Sequence, residues 1–184
     1  QPTADVSIAV SSSDATEGTV GPASLTFTSV NWNVAQTVTV TGADDTSVDG
    51  TQPYSIVIGP TTSLDPVYAN LSPPAQTFTN TDDDTAGITV GGPTGTTTTE
   101  AGGSQTFTLV LTSQPADNVT VPLSSSDLTE GTVAPASVLF TTANWNVSQT
   151  VTVTGVNDGL ADGNQTSTLT VAVDDAASSN EFDA

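Results

Sequence analysis

The sequence predicts an all-β chain made of tandem antiparallel two-sheet sandwiches. Three observations lead there. Val and Thr, 22 and 36 of the 184 residues, outnumber the good helix formers, and β-branched side chains suit a pleated, half-buried surface. Apolar residues recur with period two, the spacing of a strand with one face in the core. Finally, residues 11–50 return as residues 124–163, with 28 of 40 positions identical at an offset of 113, about the length of one small sandwich domain.

Taken in chain order, Val6, Ile8 and Val10 share one strand face, followed by Leu25 with Phe27 and Val38 with Val40. Thr26, Thr37, Thr39 and Thr41 take the opposite faces. Tyr54, Ile56 and Ile58 form the next strand, and a short one is expected in the segment 71–84. In the second copy Phe107, Leu109 and Leu111 line one strand, and Val119, Val121 and Leu123 repeat the first copy's opening face. Gly91-Gly92-Pro93, Gly102-Gly103 and Ser72-Pro73-Pro74 interrupt these runs as turns. No segment carries an amphipathic helical pattern.

The repeat sets the expected domains at 1–84 and 85–184, divided at Asp82-Asp83-Asp84-Thr85. Neither copy is whole: the first lacks a counterpart of 86–113, and the second lacks a counterpart of about 71–84. The chain is therefore expected to be an excerpt of a longer tandem array. The alternative is a subunit whose missing strands come from neighbouring chains across a filament contact. Residue 1 is Gln and Met is absent, so residue 1 is not expected to be a translation start.

There are 20 acidic residues and no Lys, Arg or His, giving a net charge of -20. Nucleic acid is excluded as a partner, because phosphate binding needs cationic side chains. No apolar run is long enough to insert in a membrane as a helix. Without Cys or His, disulfides, thiol and imidazole metal sites, and Ser-His or Cys-His catalysis are excluded together. Only carboxylates, hydroxyls, amides and backbone remain for chemistry, and so many like charges call for bound cations. Trypsin has no cleavage site, as suits durable material outside the cell.

The acids recur at equivalent positions: Asp14, Glu17, Asp45 and Asp49 against Asp127, Glu130, Asp158 and Asp162. Asp45 to Gly50 has oxygen donors at alternate positions followed by Gly, like the opening of a calcium loop. Ile56 occupies the twelfth position, so this is no EF-hand, and only Asp-x-x-x-Asp-Gly is common to both copies. Calcium takes six to eight hard oxygens, so several loops must converge at one end of a sandwich. The acids of Asp82-Asp83-Asp84 are expected at such an end.

Glu100-Ala-Gly-Gly, Ser-Asp-x-Thr-Glu-Gly-Thr-Val, Gln-Thr-Val-Thr-Val-Thr-Gly, Asp-x-x-x-Asp-Gly and the terminal Asp-Asp-Asp, with strands between, together resemble Calx-β domains. The chain is more closely similar to the Calx-β-like, immunoglobulin-like repeats of large bacterial surface adhesins. That resemblance implies calcium held at one end of each sandwich. Transferred by position, the ligands are Asp14, Asp44, Asp45, Asp49, Asp82, Asp83 and Asp84 in the first copy, and Glu100, Asp127, Asp158 and Asp162 in the second. Asn157 stands where the first copy has Asp44.

The resulting expectation is a secreted, cell-surface structural module of an adhesin stalk or extracellular filament, stiffened by Ca2+ at domain junctions. Its expected partners are neighbouring copies of the repeat, in tandem or in a filament, with a surface glycan as a further partner. The alternative is a calcium-dependent carbohydrate-binding module, which needs an exposed Trp32 or an open coordination position. Trp32 and Trp145, each between two Asn, are expected as core plugs, and Tyr54 and Tyr68 as packing residues. Threonine-rich strands suggest ice binding, but the Thr rows are short and the period is that of a domain. An enzyme would have to be a two-carboxylate glycosidase, and duplicated acids without an asymmetric cleft argue against one. Asn70, Asn118, Asn146 and Asn164 head Asn-x-Ser/Thr triplets, which matter only in a glycosylating host.

Overall fold

The computed structural model describes residues 1–183. The chain is all-β, its sheets antiparallel, and among the described residues the only helical segments are two short 3-10 turns near the end. It divides into two compact units, Gln1–Asp45 with Asp49–Asp82, and Thr46–Val48 with Asp83–Ala184.

In the second unit the strands are β8 (Ile88–Gly91), β9 (Ser104–Leu111), β10 (Val119–Ser125), β11 (Gly131–Ala134), β12 (Ser137–Phe140), β13 (Gln149–Gly155) and β14 (Leu169–Val171). They form two sheets, in the orders β11-β13-β9-β8 and β12-β10-β14. The period-two pattern points the apolar side chains of both sheets at each other. Phe107, Leu109, Leu111, Val119, Val121, Leu123, Val138, Phe140, Val151 and Phe182 are buried as one core. Burying an aliphatic or aromatic side chain contributes about 1.5–3 kcal/mol, so this core is the main source of the unit's stability.

The first unit holds β1 (Val6–Ser12), β2 (Gly18–Gly21), β3 (Ser24–Phe27), β4 (Thr39–Gly42), β5 (Gln52–Ile58), β6 (Thr62–Ser63) and β7 (Gln76–Asn80). One sheet runs β3-β1-β5-β7, with β6 also on β1, and the other is the pair β2-β4. Pairing repeats at the offset of 113: Val6 opposes Phe27 as Val119 opposes Phe140, and Ser12 opposes Ile56 as Ser125 opposes Leu169. The turn before each Trp repeats too. Asn31 Oδ1 accepts the Thr28 N–H at 2.6 Å, and Asn144 Oδ1 accepts that of Thr141 at the same distance. Each bond reaches three residues back to the N–H of the residue just after the strand, satisfying a donor that the ladder no longer serves.

The two units differ where a strand has no counterpart. β9 pairs with β13 from Gln149 to Thr154, whereas the first unit has no such neighbour and β4 begins only at Thr39. Val38, expected in a strand with Val40, lies outside it. Conversely β7 pairs with β5 from Gln52 to Ile56, and β14, with no equivalent beside it, is only three residues long. A strand without a partner cannot satisfy its N–H and C=O groups in a ladder, so it shortens.

The cores differ accordingly. In the first unit only Val10, Tyr54 and Ile56 form a buried cluster, with Val20, Leu25, Val38 and Val40 half-covered around it. Tyr54 stacks on Phe78 with ring centroids 5.9 Å apart. A Cβ on Gly18 would meet the Tyr54 ring at 2.3 Å, so that glycine makes room for the ring. Trp145 packs against the core of the second unit, but Trp32 is 45% exposed. The core-plug expectation therefore fails for Trp32, for a physical reason: Leu111, on β9, donates its N–H to the Trp145 carbonyl at 3.0 Å, and nothing equivalent to β9 covers Trp32.

Candidate metal centre

In both units the acidic loops converge through the same backbone contacts. Ala43 N–H donates to the Glu17 carbonyl, and Val156 N–H to that of Glu130, each at 3.0 Å. These bonds set the start of each Asp-x-x-x-Asp-Gly loop beside a glutamate on the loop before β2 or β11. The loop then turns on Gly50 (φ 74°) or Gly163 (φ 80°), left-handed conformations that a residue with a Cβ rarely adopts. Gln52 Nε2 donates to the Asp49 carbonyl at 2.6 Å, and Gln165 Nε2 to that of Asp162 at 3.0 Å.

One oxygen from each of Glu17, Asp45 and Asp49 lies within 4.8 Å of the others, and Glu130, Asp158 and Asp162 form the matching group. Glu17 is 9% exposed, whereas Asp45 and Asp49 face solvent. In the second unit Asp158 Oδ1 accepts the Leu160 N–H at 2.9 Å, which fixes one of its oxygens. Partial burial first, and then the negative charges of Asp162, Asp158, Asp127 and Glu100, push the Glu130 carboxyl above its ordinary value of 4.5. Glu100 is near because Gly155 lies flat against its loop: a Cβ there would come within 2.3 Å of the Thr99 carbonyl oxygen.

Of the residues predicted from the sequence, Asp45, Asp49, Asp158 and Asp162 are thus gathered into clusters, with Glu100 and Asp127 among the charges that act on Glu130. Asp14 and Asp127 lie outside the three-carboxylate groups. Each closes a turn of its own, accepting at Oδ1 the N–H and hydroxyl of Thr16 (3.0 and 2.5 Å) or Thr129 (2.9 and 2.6 Å). These bonds, the hydroxyl's first, hold both carboxyls below the ordinary value of 3.8. Asp82 Oδ2 accepts the Gly50 N–H at 2.8 Å, tying the end of the first unit to its acidic loop. Asp44 is exposed in that loop, and Asp83, exposed, and Asp84, half-buried, open the second unit.

Glu17 and Glu130, absent from the ligand set that the resemblance implies, complete each cluster. Their signal was in the motif Asp-x-Thr-Glu: a Thr two residues after an Asp closes on the carboxylate as an Asx turn, which leaves the following Glu to face the next loop. The donor set is all carboxylate and hard, as calcium requires. Three carboxylates supply at most six of its six to eight oxygens, and backbone carbonyls or water would complete the shell. No protein-family model matches the chain, and no curated protein matches it in sequence.

Proposed function

We propose that the chain is a stretch of an extracellular, tandem-repeat structural protein, an adhesin stalk or filament, whose β-sandwich modules are stiffened by bound calcium. One observation carries this reading: the same three-carboxylate cluster recurs at the same place in both units of a chain that has no Lys, Arg or His to neutralise it. Glu17, Asp45 and Asp49 would hold the ion in the first unit, and Glu130, Asp158 and Asp162 in the second. Calcium supplies the positive charge that turns repulsion within each cluster into coordination.

The stiffening follows from connectivity within the first unit. Because Asp82 is bonded to Gly50, an ion that orders Asp45 and Asp49 also orders the point where the chain leaves this unit. Binding to the folded form alone stabilises it by about 2.7 kcal/mol at a calcium concentration 100 times Kd. For units of this size that raises Tm by roughly 10 °C or more. The test is thermal unfolding and calorimetric titration, with calcium and with chelator. Equal melting in the two conditions, with no binding heat, would refute the calcium reading. So would unchanged binding heats after Glu17→Gln and Glu130→Gln.

A calcium-dependent carbohydrate-binding module is favoured by one observation, the exposure of Trp32. Its repeat-mate Trp145 is packed against a core, so the indole is not kept exposed as a feature of the repeat. Calcium-dependent quenching of Trp32 fluorescence by oligosaccharides would favour this second reading.

A further inference from the structure

The first unit leaves one strand edge and one apolar groove open on the same side. Among the described residues β4 pairs only with β2. A cavity of about 370 Å³ lies beside it, with Val10, Leu25, Val38, Val40, Ile56 and Phe78 among its lining residues. An open edge beside exposed apolar surface is a template for another strand.

The internal repeat shows what covers this surface. In the second unit the equivalents of Val38 and Leu25 are Val151 and Val138, 0% and 5% exposed. They are buried in one core with Phe107, Leu109 and Leu111 of β9, which pairs along β13 and is itself flanked by β8. The receiving residues of β3 and β4 are nearly the same in both copies, and the covering hairpin is present in the second alone; Pro73, Gln76 and Phe78 of the segment 71–84 line the far side of the first unit's groove.

We propose that the β4 edge and its groove are a receptor for a second copy of the repeat's own opening hairpin, residues 86–113. It docks antiparallel on 36–41 in the register that β9 uses on β13. Subtracting the offset of 113 from the observed pairs places Phe107 of the incoming hairpin opposite Val38, Leu109 opposite Gln36 and Gln105 opposite Val40. Main-chain bonds to the edge supply affinity, and the alternate apolar side chains filling the groove supply specificity. Charge agrees: this segment has a single ionisable side chain, Glu100, so it adds little to a receptor of net charge -20. An acidic partner would be repelled.

This inference deepens the tandem-repeat part of the function proposed above and is independent of its calcium part. The test is therefore run in chelator, so that failure to bind the hairpin and failure to bind calcium are read separately. A synthetic peptide of residues 86–113 is added to the full chain, and amide hydrogen exchange is followed residue by residue. Saturating peptide should slow exchange at Gln36, Val38 and Val40 by roughly ten-fold or more, the protection expected of newly laddered amides. The Trp32 emission should shift to the blue. A peptide carrying Phe107→Asp and Leu109→Asp should do neither.

In a second construction the same segment is fused ahead of Gln1, so that Ser113 joins Gln1 as it joins Gln114 within the chain. The fusion removes the cost of bringing two molecules together and should give the same protection. Unchanged exchange at 36–40 in the fusion overturns the proposal, as does protection that appears at Gln76–Asn80 or 165–171 instead.

Discussion

Val151 and Val38 are the same residue at the same place in the repeat, and truncating each to Ala should have unequal cost. Val151 is fully buried between the sheets of the second unit, whereas Val38 lines an open groove. Deleting two buried methyl groups costs about 1.6 kcal/mol in transfer free energy, and the cavity left behind brings the total to about 2–3 kcal/mol. With Val38 half-covered, roughly half the transfer term and little of the cavity term apply, leaving under about 1 kcal/mol. The lost strand propensity is common to both and cancels in the comparison. Each unit carries one Trp, so Trp32→Phe leaves Trp145 as the reporter of the second unit and Trp145→Phe leaves Trp32 as that of the first. Urea unfolding followed by fluorescence in these two backgrounds gives each cost separately. With a slope of about 1–3 kcal/mol per molar urea, Val151→Ala should move its midpoint by roughly 1 M and Val38→Ala by less than half of that. Equal shifts would refute the claim that the β4 side of the first unit is uncovered.

Further expectations follow from the site and the core. Glu130→Gln should raise the chelator-treated Tm of the second unit, because partial burial and then the neighbouring like charges disfavour its ionised carboxylate. The wild type should show the matching pH dependence. A carboxyl raised in the folded state weakens folding once ionised, so acidification through that raised value and down towards 4.5 should recover stability. Thermal melts across this range in chelator test the sign, and added calcium should abolish the effect. The Ser113 hydroxyl is buried without a hydrogen-bond partner; since such a group costs about 1–3 kcal/mol, Ser113→Ala should stabilise the second unit by about 1 kcal/mol in urea titration. Gly155→Ala places a methyl against the Thr99 carbonyl. It should destabilise that unit by about 1–3 kcal/mol, as overpacking does, and weaken its calcium binding in calorimetry by displacing Glu100.

Most of the architecture was legible because period two is a direct consequence of strand geometry. Phe107, Leu109 and Leu111, and Val119, Val121 and Leu123, are buried as their alternation requires. What the pattern could not convey is which neighbour each strand would find: the run through Val38 and Val40 has the strand pattern, but strand formation also needs a partner, and only part of it is paired. The fate of Trp32 was hidden for the same reason. At the site, the Asp-x-x-x-Asp-Gly spacing located Asp45, Asp49, Asp158 and Asp162. It could not rank the acids of Ser-Asp-x-Thr-Glu, because Asp14 and Asp127 compete for their own local turn hydrogen bonds, a contest settled in three dimensions.

The strand order β3-β1-β5-β7 has a mechanical corollary. β1 and β7 both run antiparallel to β5, and therefore parallel to each other. A force applied between Val6 and Asn80 acts on the beginning of β1 and the end of β7. Pulled in these opposite directions, the two strands slide lengthwise past β5, and their hydrogen bonds are loaded together in shear instead of being unzipped one after another. Rupture under such a force is governed by the unfolding rate, and a pull between these two points has to break the ladders of β5 in shear.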